Sequence, residues 1–384
     1  MVVLDSADRV AWREANRGFI ARGYPIEQTR ARLEQRVSLD RRRWAEACEM
    51  GWIAALVSPE HGGLGAGPEL FADLCEEIGR GLVGDPVAGC ALSASVIAED
   101  PALAAQSLLG ELIEGSACCA WCVAEDDRTP SAKAISLELE LDGDGLVING
   151  SKTYVLDADV ADYLLVSARC DGSLRSVVVA ADDTGVRITP ARGLDLTRSV
   201  CRVDFDRVQV TPPAAEWDRS ASAVAITRGL LLGGLLVCSD AIGAAERLME
   251  MTVAYALQRE VFGRTLASYQ AVKHKCADML CGIEGSRVAA VEAARALGAT
   301  AGQDGEALAA AARSVHVLGS FAGESCSRTA GDALQLHGGI GFTWEHDLHL
   351  YLRRVKADQA LFGTVDSHRE ALGRMTVDDA LAAG

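Results

Sequence analysis

The chain has 384 residues, of which 49% are hydrophobic and 24% are charged, a composition typical of a folded globular protein. Its length exceeds the usual size of one compact core, so two or three domains are expected. The formal charge of −17 disfavours nucleic acid and an anionic membrane as main partners, because both would repel the chain at long range.

The N-terminal part of the chain is predicted to be helical. Charged stretches alternate with apolar residues at helical spacing, and residues 1–116 are assigned to an α-helical domain. Asp5 and Arg9 stand where a secretory leader would need an apolar stretch, which predicts a cytoplasmic protein. The glycine-rich segment 51–65 has no βαβ unit around it, so it predicts a tight turn and not a dinucleotide fingerprint.

The hydrophobic period changes from 3.6 to 2 near Ala117. Asn149-Gly150 is predicted to be a two-residue hairpin turn, and another turn is predicted over residues 142–145. Short strands with frequent turns predict a central antiparallel β-barrel at 117–215, closed by Pro212-Pro213. The predicted strands lie at residues 135–141, 146–148, 163–168, 176–181, 186–189 and 201–210.

Helical periodicity returns after residue 215 and persists almost to the end of the chain. Apolar faces along residues 242–257, 272–283 and 308–318 predict a four-helix bundle, assigned to 216–384. The apolar run 229–238 is about half of a membrane span in length, so a buried helix is predicted and no membrane partner. The predicted fold class is therefore α+β, with helical, β-barrel and helical-bundle domains in that order.

Cysteine and histidine positions favour no metal site. The twelve cysteines show no matched pairs at zinc-ligand spacing and are predicted to be small core residues in a reducing compartment. Glu345, His346 and His349 are close in sequence but lack a further group of ligands, so they are predicted to be surface or interface residues.

Two separated segments carry groups that suit a nucleotide. In the first, Arg259 ends a helix and Phe262 follows in a loop. A guanidinium can fork onto pyrophosphate oxygens, and an aromatic ring can lie against an adenine or isoalloxazine face. Gln270 adds an amide that can bridge nucleotide hydroxyls or ring nitrogens.

The second segment strengthens this interpretation. Gln335 supplies a side-chain donor, and Gly338, Gly339 and Gly341 leave backbone N–H groups that can approach a phosphate closely. Together the two segments predict a nucleotide site.

At these residues the chain resembles the acyl-CoA dehydrogenase family, and the resemblance covers essentially the whole sequence. The motifs that carry it are the 51–65 turn, Asn149-Gly150-Ser-Lys152, Asp204-Phe205-Asp206-Arg207-Val208, Arg259 to Gly263 with Gln270, and His337 to Arg354. The resemblance implies FAD bound between two subunits, usually in a dimer of dimers, an acyl-CoA substrate, and an electron-transfer flavoprotein or similar acceptor. It further implies a set of residues that reach the FAD of the neighbouring subunit: Arg259, Phe262, Gln270, Gln335, Gly338 and Gly339. Thr364 is included among the cofactor-binding residues.

The position of the catalytic base departs from the family pattern. The family's reaction removes the proton next to the thioester carbonyl while a hydride passes to the flavin, so a carboxylate must reach that proton. Most members resemble Tyr-Glu-Gly-Thr there, whereas this chain reads Leu-Phe-Gly-Thr, which puts Phe362 or Gly363 at the base position. Other relatives have the base just before the match to Arg228, where this chain has Thr227. No catalytic residue is therefore predicted.

The flavin cradle of the same subunit is altered as well. Residues 123–130 read Val-Ala-Glu-Asp-Asp-Arg-Thr-Pro where the family resembles Val-Thr-Glu-Pro-Gly-Ala-Gly-Ser, so a hydroxyl and the glycines are lost. Asp126 and Asp127 would repel CoA phosphates, and Leu156 follows Tyr154 where a hydroxyl near flavin N5 is expected. Groups lent to a neighbour remain while groups of the chain's own site are missing.

This asymmetry predicts a subunit that completes a partner's flavin site. It resembles the non-catalytic chain of actinobacterial-type heteromeric (α2β2) acyl-CoA dehydrogenases, in which a related chain carries the base and several of which act on steroid-derived CoA thioesters. A self-sufficient homotetramer stays open, with Asp358 or Asp366 as a relocated base. A flavin oxidase or monooxygenase of the same fold also stays open, since it would not need the glutamate.

Three flanking features receive separate predictions. Arg228 is expected either to support the pocket wall by charge pairing or to serve bundle packing. His337 is predicted to be a structural histidine. The segment 344–346, Trp-Glu-His, is predicted to lie at a subunit interface, because an aromatic with flanking polar groups suits a partly wet contact.

Overall fold

The structure is a computed structural model that describes residues 6–34, 39–104, 107–126, 130–142, 145–211, 219–300 and 305–382. The helices are α1 (Ser6–Gly23), α2 (Ile26–Glu34), α3 (Arg41–Glu49), α4 (Gly67–Gly81), α5 (Val87–Glu99), α6 (Pro101–Ala104), α7 (Leu108–Glu114), α8 (Arg219–Gln258), α9 (Gln270–Gly298), α10 (Glu306–His337), α11 (Leu348–Asp358) and α12 (Val365–Ala382). The strands are β1 (Cys119–Cys122), β2 (Leu139–Asp142), β3 (Gly145–Leu156), β4 (Tyr163–Cys170), β5 (Ser173–Ala180), β6 (Val186–Pro190), β7 (Val200–Val210), β8 (Glu260–Val261) and β9 (Arg264–Thr265). A helical region, a β region and a second helical region therefore follow one another, which confirms the predicted fold class.

The N-terminal helices pack around buried aromatic side chains. Trp44 and Trp52 are fully buried, and the Nε1 of Trp52 donates to Oδ1 of Asn16 at 2.6 Å. In the turn at 51–65, Gly63 approaches the carbonyl oxygen of Val57 so closely that a Cβ atom there would lie 2.1 Å from it. The glycine thus serves a tight chain crossing, in agreement with the predicted structural turn.

The β region contains two sheets, with strand orders β1-β4-β5 and β2-β3-β7-β6. One pairing differs from the antiparallel prediction: β1 lies parallel to β4, whereas the other pairs in these sheets are antiparallel. The sequence pattern does not predict β1, because its four residues are all buried and show no alternation.

The hairpin turn predicted at Asn149-Gly150 is wrong. Both residues lie inside β3, which pairs with β2 and β7 along its length. Gly150 has φ +143°, and the register with β7 shifts between Ile148 and Gly150. Between the pairs Ile148–Val208 and Gly150–Phe205 the extra residue is on β7, so the bulge lies in β7 opposite the dipeptide, which stays inside a continuous strand. Gly150 takes a φ there that only glycine adopts easily. The β2-β3 hairpin instead connects Asp142 to Gly145, which pair with each other.

Some predicted features fall outside the part of the chain that the structure describes: Asp5, Asp127, turn positions 143 and 144, and Pro212-Pro213. The predicted domain boundaries after residues 116 and 215 lie between elements, since α7 ends at Glu114, β1 begins at Cys119, β7 ends at Val210 and α8 begins at Arg219. Those boundaries stay predictions.

Helix α8 forms the centre of the C-terminal region and includes the apolar run 229–238. Residues 220–258 are long and apolar enough to cross a membrane by length and composition, but 72% of their most apolar window is buried inside the protein. Helices α4, α5, α9, α10 and α11 all pack against it. This burial is typical of a core helix, as the apolar run predicts.

A fully buried arginine on α11 joins the three regions. Arg354 donates from Nε and Nη2 to the two carboxylate oxygens of Asp240 on α8, at 2.8 and 3.0 Å. Nη2 also donates to the carbonyl oxygen of Val83, before α5, at 2.9 Å. Nη1 donates to Oγ1 of Thr197 at 2.8 Å and to Oδ2 of Asp195 at 3.3 Å, both between β6 and β7.

A second buried guanidinium completes this cluster. Arg198 bonds Asp195 at 3.2 Å and also bonds Asp358, at the end of α11. Two arginines therefore face four buried aspartates, because Asp157 and Asp240 also interact with them. Burial raises the pKa of Asp358 well above its usual range and that of Asp157 to about 7. Carboxyl groups with a raised pKa keep their protons at a higher pH, which reduces the excess of negative charge in the cluster.

Replacing Arg354 by glutamine removes the charge that balances Asp240 and Asp195 in the interior. We expect the free energy of unfolding to fall by about 3–5 kcal/mol, because an uncompensated buried charge remains. Urea unfolding followed by circular dichroism measures the change. Arg353→Gln is the matched control, since its guanidinium lies at the surface and donates to the Leu194 carbonyl oxygen. Equal losses in the two variants would contradict the assigned role.

Asp157→Asn tests the raised pKa. The unfolded side chain titrates near pH ~3.9, whereas the folded one has a pKa of about 7, so the folded protein holds an extra proton between these values. Stability from this group is therefore full below about pH 4 and falls as the pH rises to about 7. The free energy of unfolding of the Asp157→Asn variant should exceed that of the wild type by up to about 4 kcal/mol at pH 8 and differ little from it at pH 4.

Thermal unfolding across this pH range measures the effect of Asp157→Asn. Asparagine tolerates the φ of +58° found at this position. Asp182→Asn is the control, because Asp182 is exposed after β5. A pH profile of Asp157→Asn parallel to that of the wild type would rule out a retained proton at Asp157.

Candidate functional site

A cavity of about 200 Å³ lies between α5, β1, the end of β3 and the loop after α11. Its lining is mostly apolar and aromatic, and its hydroxyl groups are those of Tyr154 and Thr364. Among the described residues the lining contains no acid. The lining residues are Gly89, Leu92, Trp121, Val123, Ala124, Pro130, Tyr154, Leu156, Ala360, Leu361, Phe362 and Thr364. Such a lining can shield an apolar group but offers no proton acceptor.

An aromatic ring occupies the predicted base position. Phe362 lines the cavity and packs against Gly233 of α8, where a Cβ atom would lie 2.4 Å from the ring. Phe362 and Gly363 have φ values of +54° and +131°. The backbone there is held in a conformation that a phenylalanine rarely adopts, so the surrounding packing must fix the loop.

The alternative base position, on α8, also lacks a carboxylate. The hydroxyl of Thr227 donates to the carbonyl oxygen of Ala223 at 2.7 Å, one turn earlier in the same helix. Arg228 forms an ion pair with Glu99 of α5 and donates from Nε to Oγ1 of Thr300 at 2.9 Å. Burial lowers the pKa of Arg228 to about 10. Its charge pairing therefore ties α8 to α5, at a second cavity of about 670 Å³.

The two candidate relocated bases lie apart from the first cavity. Asp358 is buried in the arginine cluster and pairs with Arg198. Asp366 is exposed in the first turn of α12. Neither side chain lines the cavity that contains Phe362.

The altered cradle segment is fixed by a buried ion pair. Lys152 is fully buried, and its Nζ donates to Oε1 of Glu125 at 2.6 Å. Glu125 also accepts from the backbone N–H groups of Ser136 and Leu137, at 2.9 and 3.0 Å. Burial alone would raise the pKa of Glu125, but the hydrogen bonds from Lys152 and Ser136 hold it at about 2. Sequence spacing gives no signal for this pair, since 27 residues separate its partners.

The nucleotide-binding residues predicted from the two segments lie largely at the surface. Phe262 is 95% exposed and follows the short strand β8 with φ +53°. Gly338 has φ +63° and ends α10, and a Cβ atom there or at Gly339 would meet no atom within 4 Å. The exposed residues of the predicted set are Arg259, Phe262, Gln270, Gln335 and Gly339.

A stacked ring pair brings the two segments together. Tyr255 of α8 stacks on His337 of α10 with ring centroids 4.6 Å apart, and an ion pair between Lys275 and Asp332 joins the adjoining turns of α9 and α10. Thr364 lies elsewhere, in the cavity with Phe362. The sequence analysis gave no role to Tyr255, although it stands only four residues before Arg259 in the first segment.

His337 has a structural environment. Its Nδ1 bonds the carbonyl oxygen of Ala333 at 2.8 Å, and burial lowers its pKa. Nε2 is buried without a hydrogen-bond partner among the described residues. Nearby, Trp344 is about half exposed and stacks on His349 at 4.6 Å. The predicted interface role of the 344–346 segment stays a prediction.

Comparison with known proteins identifies the family. The acyl-CoA dehydrogenase N-terminal domain matches residues 6–105, and the acyl-CoA dehydrogenase C-terminal domain matches residues 223–376. The acyl-CoA dehydrogenase IpdE2 of Mycobacterium tuberculosis is 32% identical over 370 residues, which cover 96% of each chain. The chain belongs to the acyl-CoA dehydrogenase family.

Solved structures agree with the fold. A variant of the Tcur3481-Tcur3483 steroid ACAD has a TM-score of 0.84 and 23% identity, covering 98% of this chain and 99% of the other. A glutaryl-CoA dehydrogenase of Mycobacterium smegmatis in complex with FADH2 has a TM-score of 0.82 and 20% identity, covering 97% and 95%. Family membership confirms the predicted FAD cofactor and the oxidoreductase class.

Glu125→Gln tests the ion pair that holds the cradle segment. Lys152 would remain buried without its counter-charge, so we expect a loss of stability of about 2 kcal/mol or more at pH 7. The wild-type contribution is present above the unfolded pKa of ~4.3 and is lost as the pH falls toward about 2. Thermal unfolding should therefore show a smaller difference at pH 4 than at pH 7.

The exposed Glu138→Gln serves as the control for Glu125→Gln. The double variant Glu125→Gln with Lys152→Met should regain part of the lost stability, because no buried charge then remains. A double variant no more stable than Glu125→Gln alone would argue against an unpaired lysine as the cause.

Proposed function

We propose that this protein is the non-catalytic subunit of a heteromeric FAD-dependent acyl-CoA dehydrogenase, in which it completes the FAD site of a related, base-bearing chain. The observation that carries the proposal is the cavity at the base position, where Phe362 stands and the described lining contains no acid. An alkyl or aromatic side chain cannot accept the substrate's α-proton.

The exposed segments support the second half of the proposal. Arg259 and Phe262, after the end of α8, and Gln335, in the last turn of α10, are surface groups and do not line the cavity of their own chain. Their surroundings are also apolar, with Leu257, Ile340 and Phe342 exposed in the same segments. Such a surface is typical of a contact with another subunit.

The exposed residues near the ends of α8 and α10 fit FAD better than the residues that line the chain's own cavity. On the exposed face, Arg259 would pair with the pyrophosphate, and Phe262 and Gln335 would contact the nucleotide of a partner's FAD. FAD, when bound, accepts the hydride from the substrate. The chain's own cavity of about 200 Å³ is smaller than the roughly 300–1,000 Å³ of ordinary ligand clefts. Leu156 lines it without offering a hydrogen bond. We therefore assign the FAD to the partner's site.

The substrate proposed is an acyl-CoA thioester with a steroid-derived acyl group. Support comes from the resemblance to heteromeric enzymes of this type and from the steroid ACAD of the same fold. An electron-transfer flavoprotein or similar protein is proposed as the acceptor, and the cytoplasm as the location. A relocated base is less well supported, because Asp358 is buried with Arg198 away from the cavity.

Reconstitution tests the subunit role. Expressed alone, the chain should hold little FAD, and with a base-bearing homologue it should form a complex that carries flavin and oxidises the acyl-CoA. Within that complex Phe262→Ala should reduce FAD retention and kcat/KM about tenfold, on the order of 1.4 kcal/mol, because the ring is available to the partner. Flavin absorbance after gel filtration and reduction of an artificial acceptor measure both.

Leu141→Ala is the matched control, because this side chain is 72% exposed on β2, apart from the two nucleotide segments. Full FAD occupancy with turnover by the isolated chain would overturn the proposal. If Asp366→Ala then abolished turnover with the flavin retained, a relocated base would explain the activity. Rapid reoxidation by dioxygen without any response to acyl-CoA would instead indicate an oxidase or monooxygenase.

A further inference from the structure

A pair of histidines lies beside the loop that contains Phe362, and neither of them lines the cavity. His316 of α10 and His368 of α12 have their Nδ1 atoms 2.9 Å apart. The ring of His368 is buried and fills a space between Gly319 and Gly363. Cβ atoms at these glycines would lie 2.4 and 2.7 Å from the ring. The imidazole therefore packs where two residues without side chains leave room for it.

The hydrogen bonds assign a tautomer to each ring. Nδ1 of His368 is engaged with His316, so Nε2 is the nitrogen that faces Gly363, whose backbone acts to raise the pKa of the ring. A backbone group that raises the pKa of an imidazole is a carbonyl oxygen that accepts from it, so Nε2 of His368 carries the proton and its Nδ1 is the acceptor. His316 must then donate from Nδ1. Burial lowers the pKa of both rings, that of His368 to about 4, which keeps them neutral as this arrangement requires.

The loop that receives this hydrogen bond is the one with unusual backbone angles. Phe362 and Gly363 both have positive φ values, and Phe362 directs its ring against Gly233. Thr364 then begins the turn into α12, where its Oγ1 accepts from Ser367 N at 3.2 Å and its carbonyl oxygen accepts from His368 N at 3.0 Å. His368 therefore contacts this strained connection twice: its ring lies against Gly363, and its backbone N–H donates to the carbonyl oxygen of Thr364.

We propose that His316 and His368 form a hydrogen-bonded relay that positions the loop of residues 361–364 and thereby keeps the Phe362 ring in the cavity. Both are positioning residues, because they act through Gly363 and do not line the cavity. The functional meaning of the loop rests on the proposed function, since this is the position where a catalytic subunit would have its base. In this chain the relay keeps the aromatic ring at that position.

Nitrogen NMR of the full chain labelled with ¹⁵N-histidine tests the relay directly. A scalar coupling across the hydrogen bond should connect the two Nδ1 atoms, with His316 protonated at Nδ1 and His368 at Nε2. Two rings both protonated at Nε2 and lacking the coupling would overturn the proposal. This spectroscopic signature depends on the hydrogen bond itself and not on general stability.

Hydrogen exchange of peptides covering residues 361–368 tests the positioning role. His368→Leu should raise amide exchange in this loop about tenfold, because the hydrogen bond to Gly363 is lost. His368→Gln should stay close to the wild type, since its amide can still donate to the same carbonyl. His61→Gln is the control, as His61 is exposed in the 51–65 turn. Wild-type exchange in a folded His368→Leu variant would contradict the proposal.

His316→Gln provides the test if His368→Leu does not fold. It leaves His368 in place and should raise exchange in the loop less than tenfold but measurably. Unchanged exchange in His316→Gln would also overturn the relay. Neither measurement uses flavin or a partner subunit, so failure of the relay leaves the proposed function untouched, and failure of reconstitution leaves the relay untouched.

Discussion

The buried ion cluster around Arg354 is the constraint on which the arrangement of the three regions depends. One guanidinium on α11 bonds Asp240 of α8, Asp195 of the β region and the Val83 carbonyl oxygen of the N-terminal region. A charge moved from water to the interior is costly unless every donor has a partner, so this geometry tolerates little rotation of any region. The cluster therefore fixes relative orientation more than it adds net stability.

That constraint extends to the candidate site through the chain itself. Asp358, one turn beyond Arg354 on α11, bonds Arg198, and the loop with Phe362 follows within four residues. The loop thus leaves a helix whose end is fixed by two guanidinium groups, and it enters α12 beside His368. Because the backbone on both sides of the loop is fixed, the Phe362 ring stays at the cavity. In a mobile loop the same side chain would move away from it.

Local sequence patterns predicted what is local in the structure. Helical period identified α8 to α10. The motif residues Arg259 and Phe262, after the end of α8, and Gln335, near the end of α10, are exposed, and their role toward another chain stays a prediction. Patterns failed where tertiary contacts decide. The dipeptide Asn149-Gly150 has the composition of a turn, but β7 pairs on both sides of it and keeps it inside a continuous strand, opposite a bulge in β7.

Long-range polar pairs could not be read from the sequence for the same reason. Lys152 and Glu125 are 27 residues apart, and Arg354 and Asp240 are 114 apart, so no spacing links them. Nothing in the sequence distinguishes a buried lysine from an exposed one. The roles of such residues become visible only when burial and partner are known together.

Two phenylalanines of the predicted site differ in their exposure to solvent. The ring of Phe262 is 95% exposed, an arrangement that favours association because covering an aromatic ring removes apolar surface from water. Phe362 is directed inward against Gly233 and occupies space beside the apolar cavity. A partner that covers the first ring gains contact area, whereas a ligand larger than this cavity must displace the second. In the proposed heteromer, burial of apolar surface would therefore favour association with another subunit and disfavour occupation of the chain's own cavity.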